Sequence, residues 1–255
     1  ETLTTISGEP SSTFALKYRN RTYAVGASGA TYPGRRVFFS ALGDGTSWAT
    51  TVDFFDIVDD YGEFITAGYV MNDKIFFFKM SSIWSYDEIE LKQRIAGVGA
   101  YNQRVVKEIG GTLFTFCPAG IFATNGFSFK NIGEPVREYW ERFRPTYEGT
   151  GDRRVVVNTF AADFDRKYVL FIGNITQPET LNGVALAYDT VTNGWEIWDN
   201  LDNFTFLKTL RSFQYGDSAQ YSESLLGGDA TRAYRFFENR YLYGQSTPVL
   251  QGNDI

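Results

Sequence analysis

Few residue types in this chain could support catalysis. It contains no histidine, which excludes Ser-His-Asp and Cys-His catalysis, histidine-ligated zinc and a haem held by a proximal histidine. The 30 acidic residues offer many carboxylate pairs of the kind that glycosidases use, but no motif or spacing distinguishes one pair from the others. The sequence therefore predicts no enzyme, no cofactor and no catalytic residue.

The densest acidic stretch is Asp56-Ile-Val-Asp-Asp-Tyr-Gly-Glu63. Oxygen ligands at short spacing could hold calcium. The spacing differs from that of an EF-hand loop, which needs acidic or amide ligands at alternate positions and a distal glutamate. The stretch is interpreted as a solvated turn without a metal, and a calcium site is the alternative.

Two tryptophans form the candidate recognition surface. Trp195 and Trp198 follow the dipeptide Asn193-Gly194, which predicts a two-residue hairpin turn, as does Asn125-Gly126. We expect Val184 to Trp198 to form a hairpin with both indole rings on one face. Core packing explains most aromatic residues of a β-protein, and the alternative for this pair is stacking on a sugar or a partner protein.

Charge and hydropathy restrict the partners that the chain can bind. There are 24 basic and 30 acidic residues, for a net charge of −6. A phosphate backbone or an anionic membrane surface requires excess lysine and arginine. No apolar run approaches the roughly 18 residues that a transmembrane helix needs. We therefore expect neither a nucleic-acid nor a membrane partner.

The single cysteine is Cys117, so no intramolecular disulfide can form. It lies in the apolar run Leu113-Phe-Thr-Phe-Cys117. A cysteine in such a run behaves as a small apolar side chain. We expect a buried thiol, with a reactive thiol as the alternative.

The elements that position these residues are predicted to be β-strands. Aromatic residues make up 17% of the chain and 25 residues are glycine, a composition that favours strands and tight turns. One theme recurs at roughly 40–60 residues, the period of a propeller blade. It consists of a turn, a nearly continuous apolar strand and a second strand, and its copies begin at Arg19, Asn72, Gly110, Asp165 and Ser224. Continuous apolar strands are typical of burial on both faces.

These patterns predict one all-β domain over residues 1–255, a β-propeller of about five or six blades of antiparallel sheet. We expect the ring to close by pairing of residues 12–18 or 20–26 with residues 232–243, because an unpaired edge would remain otherwise. Residues 244–255 are predicted to form an exit tail.

One segment has helical rather than strand periodicity. Val136, Tyr139, Trp140 and Phe143 lie on one stripe, and Pro135 suits a first helical turn. The pattern predicts a short helix near residues 135–143 that packs on a blade edge or bridges blades. A helix that binds a partner is the alternative.

An ordered set of motifs carries a family resemblance. Arg36-Val-Phe-Phe-Ser-Ala-Leu-Gly-Asp-Gly-Thr-Ser-Trp48 is followed by Asp60–Ile65, Phe77-Phe-Lys79 and Ser82-Ile-Trp84. A loose match at Gly99–Val105 and a hairpin motif at Gly111–Phe114 with Gly120–Phe122 come next. In order and spacing, roughly residues 19–130 resemble the propeller-type tail and virion structural proteins of bacteriophages.

The resemblance implies a non-enzymatic structural component of a virion, in the tail or the head-to-tail assembly, and otherwise a soluble protein. Its expected partners are other virion proteins, including a ring of identical copies. Arg36, Asp44 and Trp48 are expected to hold a blade corner by hydrogen bonds and packing. The alternatives are a propeller that binds or hydrolyses a glycan, and an interaction propeller of cellular origin.

Overall fold

The computed structural model confirms the all-β class. It describes residues 10, 12–26, 34–59, 62–148, 155–175, 180–199, 201, 204–214, 220–228, 233–242 and 249–250. Within these residues, 22 strands form five four-stranded antiparallel sheets and one two-stranded hairpin. Each four-stranded sheet is a meander of four consecutive strands, so every copy of the predicted repeat lies within one sheet.

Sheet 1 contains β1 (Phe14–Tyr18), β2 (Arg21–Val25), β3 (Arg36–Phe39) and β4 (Phe54–Asp56). Sheet 2 contains β5 (Ala67–Met71), β6 (Lys74–Phe78), β7 (Ser82–Tyr86) and β8 (Leu91–Ala96). A 3-10 helix (Gln103–Val105) leads to sheet 3, which contains β9 (Lys107–Ile109), β10 (Thr112–Cys117), β11 (Gly120–Thr124) and β12 (Phe129–Asn131).

A second 3-10 helix (Glu134–Val136), helix α1 (Arg137–Trp140) and the hairpin of β13 (Tyr147–Glu148) and β14 (Val155–Val156) precede sheet 4. Sheet 4 contains β15 (Phe160–Phe164), β16 (Lys167–Ile175), β17 (Leu181–Asp189) and β18 (Trp195–Trp198). Sheet 5 contains β19 (Phe206–Gln214), β20 (Gln220–Gly228), β21 (Ala233–Leu242) and β22 (Val249–Leu250). In the described part of the chain, no helix combines the length and apolar character needed to cross a bilayer.

Strand β6 shows how the sheets are held together. Ile75, Phe76, Phe77 and Phe78 are all fully buried. Because side chains alternate between the faces of a strand, Ile75 and Phe77 pack in a cluster with sheet 1. Phe76 and Phe78 pack in the largest cluster, with sheets 3 and 4. The prediction of strands buried on both faces is confirmed.

Strand β16 repeats this arrangement between sheets 4 and 5. Tyr168 and Leu170 contribute to the largest cluster. Val169 and Phe171 face the other way, into a cluster that includes Leu207 of β19 and Leu225 of β20. Consecutive sheets therefore pack through the opposite faces of the strand between them.

The short helix is confirmed, as a 3-10 turn followed by one turn of α-helix. Pro135 lies in the first turn of the 3-10 helix, where its missing N–H is not needed. Val136 and Phe143 are buried in the largest cluster, and Trp140 Nε1 donates a hydrogen bond to the Gly133 carbonyl oxygen at 2.8 Å. The helical stripe packs on this cluster.

The two predicted two-residue turns are wrong. Residues 125–128 connect the paired residues Thr124 and Phe129, and Asn125 Oδ1 accepts hydrogen bonds from two backbone N–H groups of this loop. The loop before β18 is similar, because the Asp189 N–H donates to the Gly194 carbonyl oxygen. Asx side chains organise both longer loops. Two-residue turns with positive φ occur elsewhere, as at Asn72-Asp73.

The predicted ring closure, by pairing of residues 12–18 or 20–26 with residues 232–243, is also wrong for the described strands. β1 pairs with β2 alone, and β21 has β20 and β22 on its two edges. Since four consecutive strands complete each sheet, β21 has no free edge for β1. Val249 and Leu250 form β22, so they are not part of an exit tail, and the remainder of 244–255 lies outside the described residues.

Replacement of Phe77 by alanine should destabilise the contact between sheets 1 and 2. The ring is fully buried, so we expect the free energy of unfolding to fall by about 3–5 kcal/mol in a denaturant titration. Phe129→Ala is the control, because that ring is 50% exposed, and its loss should stay below about 1 kcal/mol. Equal losses in the two variants would contradict this packing.

Stability should decrease at alkaline pH. Tyr168 is fully buried and its hydroxyl donates to the Val105 carbonyl oxygen at 2.7 Å. Burial raises the pKa of Tyr168 well above its usual value of about 10. The unfolded chain loses this proton near pH 10 while the native state retains it, so stability falls as pH rises above that value.

Denaturant titrations between about pH 8 and about pH 11 measure the slope of the free energy of unfolding against pH. Tyr168→Phe should reduce the slope in part, because burial also raises the pKa of other tyrosines, including that of Tyr101 to about 12. The exposed Tyr147 supplies the control variant Tyr147→Phe. An unchanged slope in Tyr168→Phe would refute the assignment.

Candidate functional site

The structure separates the two tryptophans of the predicted recognition surface. Trp195 packs on the largest cluster beside Tyr188, with ring centroids 5.1 Å apart, and its Nε1 donates to the Ile132 carbonyl oxygen at 2.9 Å. Trp198 packs on the cluster shared with sheet 5. The expectation of a common face is wrong, because residues three positions apart on a strand point to opposite faces.

A shallow groove of about 490 Å³ lies beside Trp195 and is lined by Phe129, Tyr188 and the loops that contain Asn125 and Asn193. Both amide oxygens of these loops already accept hydrogen bonds, Asn125 from its own loop and Asn193 from the Tyr188 hydroxyl at 2.7 Å. These two amide groups thus serve the structure of the loops and strands around the groove.

In its described residues, 56–59 and 62–63, the acidic stretch is not a solvated turn. Asp59 accepts a hydrogen bond at 2.7 Å from Lys79 Nζ, which also donates to the Ile57 carbonyl oxygen at 2.8 Å. The Lys79 side chain is fully buried and that of Asp59 is 9% exposed. Burial lowers the pKa of Lys79. Glu63 accepts from the backbone N–H and the hydroxyl of Ser81. Residues 60 and 61 lie outside the described residues.

The three residues of the expected blade corner have separate partners. Arg36 forms a bidentate ion pair with Asp56 at 2.7 Å, and its guanidinium lies 3.7 Å from the centre of the Phe54 ring. Asp44 accepts from the backbone and the hydroxyl of Thr46, and these hydrogen bonds lower its pKa. Trp48 is half-buried against a small cluster on sheet 1.

Cys117 is buried in the largest cluster, and this burial raises the pKa of its thiol. The thiol therefore stays protonated and unreactive at neutral pH. This outcome confirms the prediction from the surrounding apolar run.

A cleft that sequence analysis missed lies where the first strands of the sheets meet. β1 contacts β5, β9 contacts β15, and β15 contacts β19. A cavity of about 430 Å³ lies among four sheets at this position. We call it the axial cleft; its lining includes Tyr69 of β5, Glu108 of β9, Asp163 of β15, Arg166, Arg211 of β19 and Glu223 of β20.

Arg211 organises the charges of the axial cleft. Its guanidinium binds Asp163 at 2.5 Å and Glu223 at 2.9 Å. Burial opposes the charge of Arg211, but the hydrogen bonds that its guanidinium donates to these two carboxylates outweigh that effect and raise the pKa of Arg211. The second oxygen of Glu223 accepts from the Asp165 N–H at 3.1 Å. The two carboxylates are therefore engaged with donors of this chain.

Tyr69 lies beside this ion-pair network. Burial, together with the nearby charges of Glu108 and Asp163, raises the pKa of Tyr69. The phenol is thus a neutral hydrogen-bonding group in the cleft at physiological pH. Among the described residues, no group of three or more Cys, Asp and Glu side chains is arranged to hold a metal ion.

The signal for this cleft in the sequence is weak. Asp163 interrupts the apolar strand β15, and Arg211 lies on β19; each strand is the first of its sheet. A charge on the first strand of successive repeats could indicate a common axis, but only if the strand order within each sheet were known in advance.

Comparisons with known proteins show no family. No family model matches the chain, and no curated protein matches it. Among solved structures, 43 chains match. One belongs to an S. cerevisiae complex of Dbp5 with Nup159, Gle1, IP6 and ADP, with 9% identity, a TM-score of 0.37 and coverage of 89% of this chain and 71% of that chain. A TM-score this low supports no conclusion.

Removal of the Arg211 guanidinium should destabilise sheets 4 and 5. Glu223, whose side chain is 8% exposed, would lose its cation and remain buried and charged. We expect Arg211→Met to lower the free energy of unfolding by about 2 kcal/mol. The loss is smaller than for a fully buried ion pair because the Arg211 side chain is 52% exposed.

The double variant Arg211→Met/Glu223→Gln should recover part of that loss in the same denaturant titration, since it removes the unpaired charge. Lys17→Met, at an exposed lysine of β1, is the matched control, and its free energy of unfolding should differ little from that of the wild type. If the double variant were less stable than the single variant, the charge would not be the cause.

Proposed function

We propose that this protein is a single-domain β-propeller that acts as a non-enzymatic scaffold in a bacteriophage virion. The observation that carries the proposal is the row of five sequential meander sheets, which pack through their faces and bring their first strands together. The blades of a propeller are arranged around an axis in a similar way, which supports the proposal. The motif resemblance over roughly residues 19–130 supports the placement in a tail or head-to-tail assembly.

The use of charged side chains favours a scaffold over an enzyme. The acids near Lys79 and Arg211 are held by cations of neighbouring elements. An acid–base catalyst needs a carboxylate that can reach a substrate and exchange a proton. Carboxylates in these ion pairs join sheets, which is a structural task.

Exposed apolar side chains at loop tips support contacts with other proteins. Leu42 and Val52 lie in the loop between β3 and β4, and Ile89 lies in the turn between β7 and β8; their exposed fractions are 66%, 70% and 93%. Loops on a rigid sheet scaffold are common binding elements. In our proposal, neighbouring virion proteins or identical copies contact these loops.

A glycan-binding propeller is the second candidate. The axial cleft places the Tyr69 phenol near charged groups that could bind sugar hydroxyls. Asp163 and Glu223 would have to release Arg211 before either could act in glycoside hydrolysis. The cleft therefore fits binding better than hydrolysis.

Electron microscopy tests the virion proposal. Antibodies against the purified chain should label one fixed position on particles released from cells whose genome encodes it. Negative-stain images of the purified chain should show toroidal particles. Particles that contain no copy of the chain would contradict the proposal.

A glycan array combined with a reducing-sugar assay separates the two candidates. The scaffold proposal predicts no saturable retention of any glycan and no turnover. Hydrolysis that disappears in Asp163→Asn, with unchanged thermal stability, would replace the scaffold with a glycosidase. Binding without turnover would favour the glycan-binding candidate.

A further inference from the structure

The pair of Lys79 and Asp59 holds an amino group against a carboxyl group where little water reaches. The Lys79 side chain has no exposed surface, and that of Asp59 is 9% exposed. Lys79 Nζ lies 2.7 Å from Asp59 Oδ2 and donates a second hydrogen bond to the Ile57 carbonyl oxygen at 2.8 Å. The centre of the Trp84 ring is 5.7 Å from the same nitrogen. The nitrogen is therefore fixed in position beside one carboxyl group.

Burial favours the uncharged forms of these two groups. Transfer of one proton from the ammonium group to the carboxylate replaces two buried charges by an amine and a carboxylic acid, and charges are costly where water is excluded. Burial also lowers the pKa of Lys79. A neutral amine is a nucleophile, whereas an ammonium group is not.

The second oxygen of Asp59 has a backbone donor. The Glu63 N–H donates to Asp59 Oδ1 at 3.3 Å. Attack of an amine on the carboxyl carbon of Asp59 places negative charge on this oxygen, and a fixed N–H group stabilises such an oxyanion. A cleft of about 500 Å³, whose lining includes Asp59 and Trp84, lies beside the pair. The cleft can receive a water molecule that the reaction releases.

We propose that Lys79 and Asp59 become joined by an intramolecular amide bond, which the folded protein forms without another enzyme or a cofactor. The bond between Nζ and the carboxyl carbon forms, and the bond between that carbon and Oδ2 breaks. The ammonium group carries three protons; two of them leave with Oδ2 as water and one stays on the amide nitrogen, so no co-reactant is needed. Fixed proximity favours this reaction over the same reaction between free groups in water.

The amide bond would tie the segment after β4 to the residue after β6, and so join sheets 1 and 2 covalently. This inference goes beyond the proposed scaffold function and does not depend on it, because the bond forms within one chain in or outside a virion.

Mass spectrometry of the unfolded protein tests the proposal. The wild type in denaturant should be lighter than the mass of its sequence by one water molecule. A protease that cleaves after aromatic residues should release one branched peptide that joins residues 56–61 to residues 79–84, and fragmentation should locate the link at Asp59 and Lys79. Asp59→Asn should lose ammonia instead of water, because the leaving group changes.

Lys79→Arg should have the full mass of its sequence, since a guanidinium keeps its charge and does not attack the carboxyl group. Lys74→Met is the matched control and should still lack one water molecule. Lys74 pairs with Asp87 on the same sheet, but these side chains are 24% and 23% exposed, so their charges stay hydrated.

If Lys79→Arg does not fold, the peptides of the wild type decide the question. The proposal is overturned if the wild type has the full mass of its sequence, or if Asp59 and Lys79 occur only in separate linear peptides. It is also overturned if folded Lys79→Arg still lacks one water molecule.

Discussion

The apolar middle strands must be covered on both faces, and the rest of the structure depends on that constraint. In β6, the four consecutive residues Ile75–Phe78 have no exposed surface. One packed neighbour can cover only every second side chain, so such a strand requires a sheet on each side. At roughly 25 cal/mol per Å² of buried apolar area, this burial is the main favourable contribution to folding. A sheet that covers one face of such a strand has a second face of its own, and the next sheet packs on that face.

Close contacts between sheets are controlled by a few polar and small residues. Lys79, fully buried, joins the segment after β4 to sheet 2 through the Ile57 carbonyl oxygen and Asp59. An ion pair of this kind adds little net stability but is costly to break. A Cβ atom at Gly126 would lie 2.2 Å from the Phe76 ring. These residues determine where the sheets meet, while the aromatic clusters supply the stability.

The cleft between the first strands differs chemically from the faces between sheets. The faces are almost entirely apolar, whereas the first strands carry Glu108, Asp163 and Arg211 into one cleft. A sheet edge has free backbone groups and water access, so charges are tolerated there at a lower desolvation cost than between faces.

Local periodicity was enough to predict the all-β class, the repeated strand pairs, the short helix and the burial of Cys117, because each depends on residues that are close in sequence. The opposite orientation of Trp195 and Trp198 also follows from strand alternation, so the expectation of a common face was wrong. The partners of the acidic stretch could not be predicted, since Lys79 reaches Asp59 only after sheets 1 and 2 pack. The axial cleft likewise combines residues as distant as Tyr69 and Glu223. Tertiary structure alone decided these contacts, because the stacking of faces determines which distant polar groups share a space from which water is largely excluded.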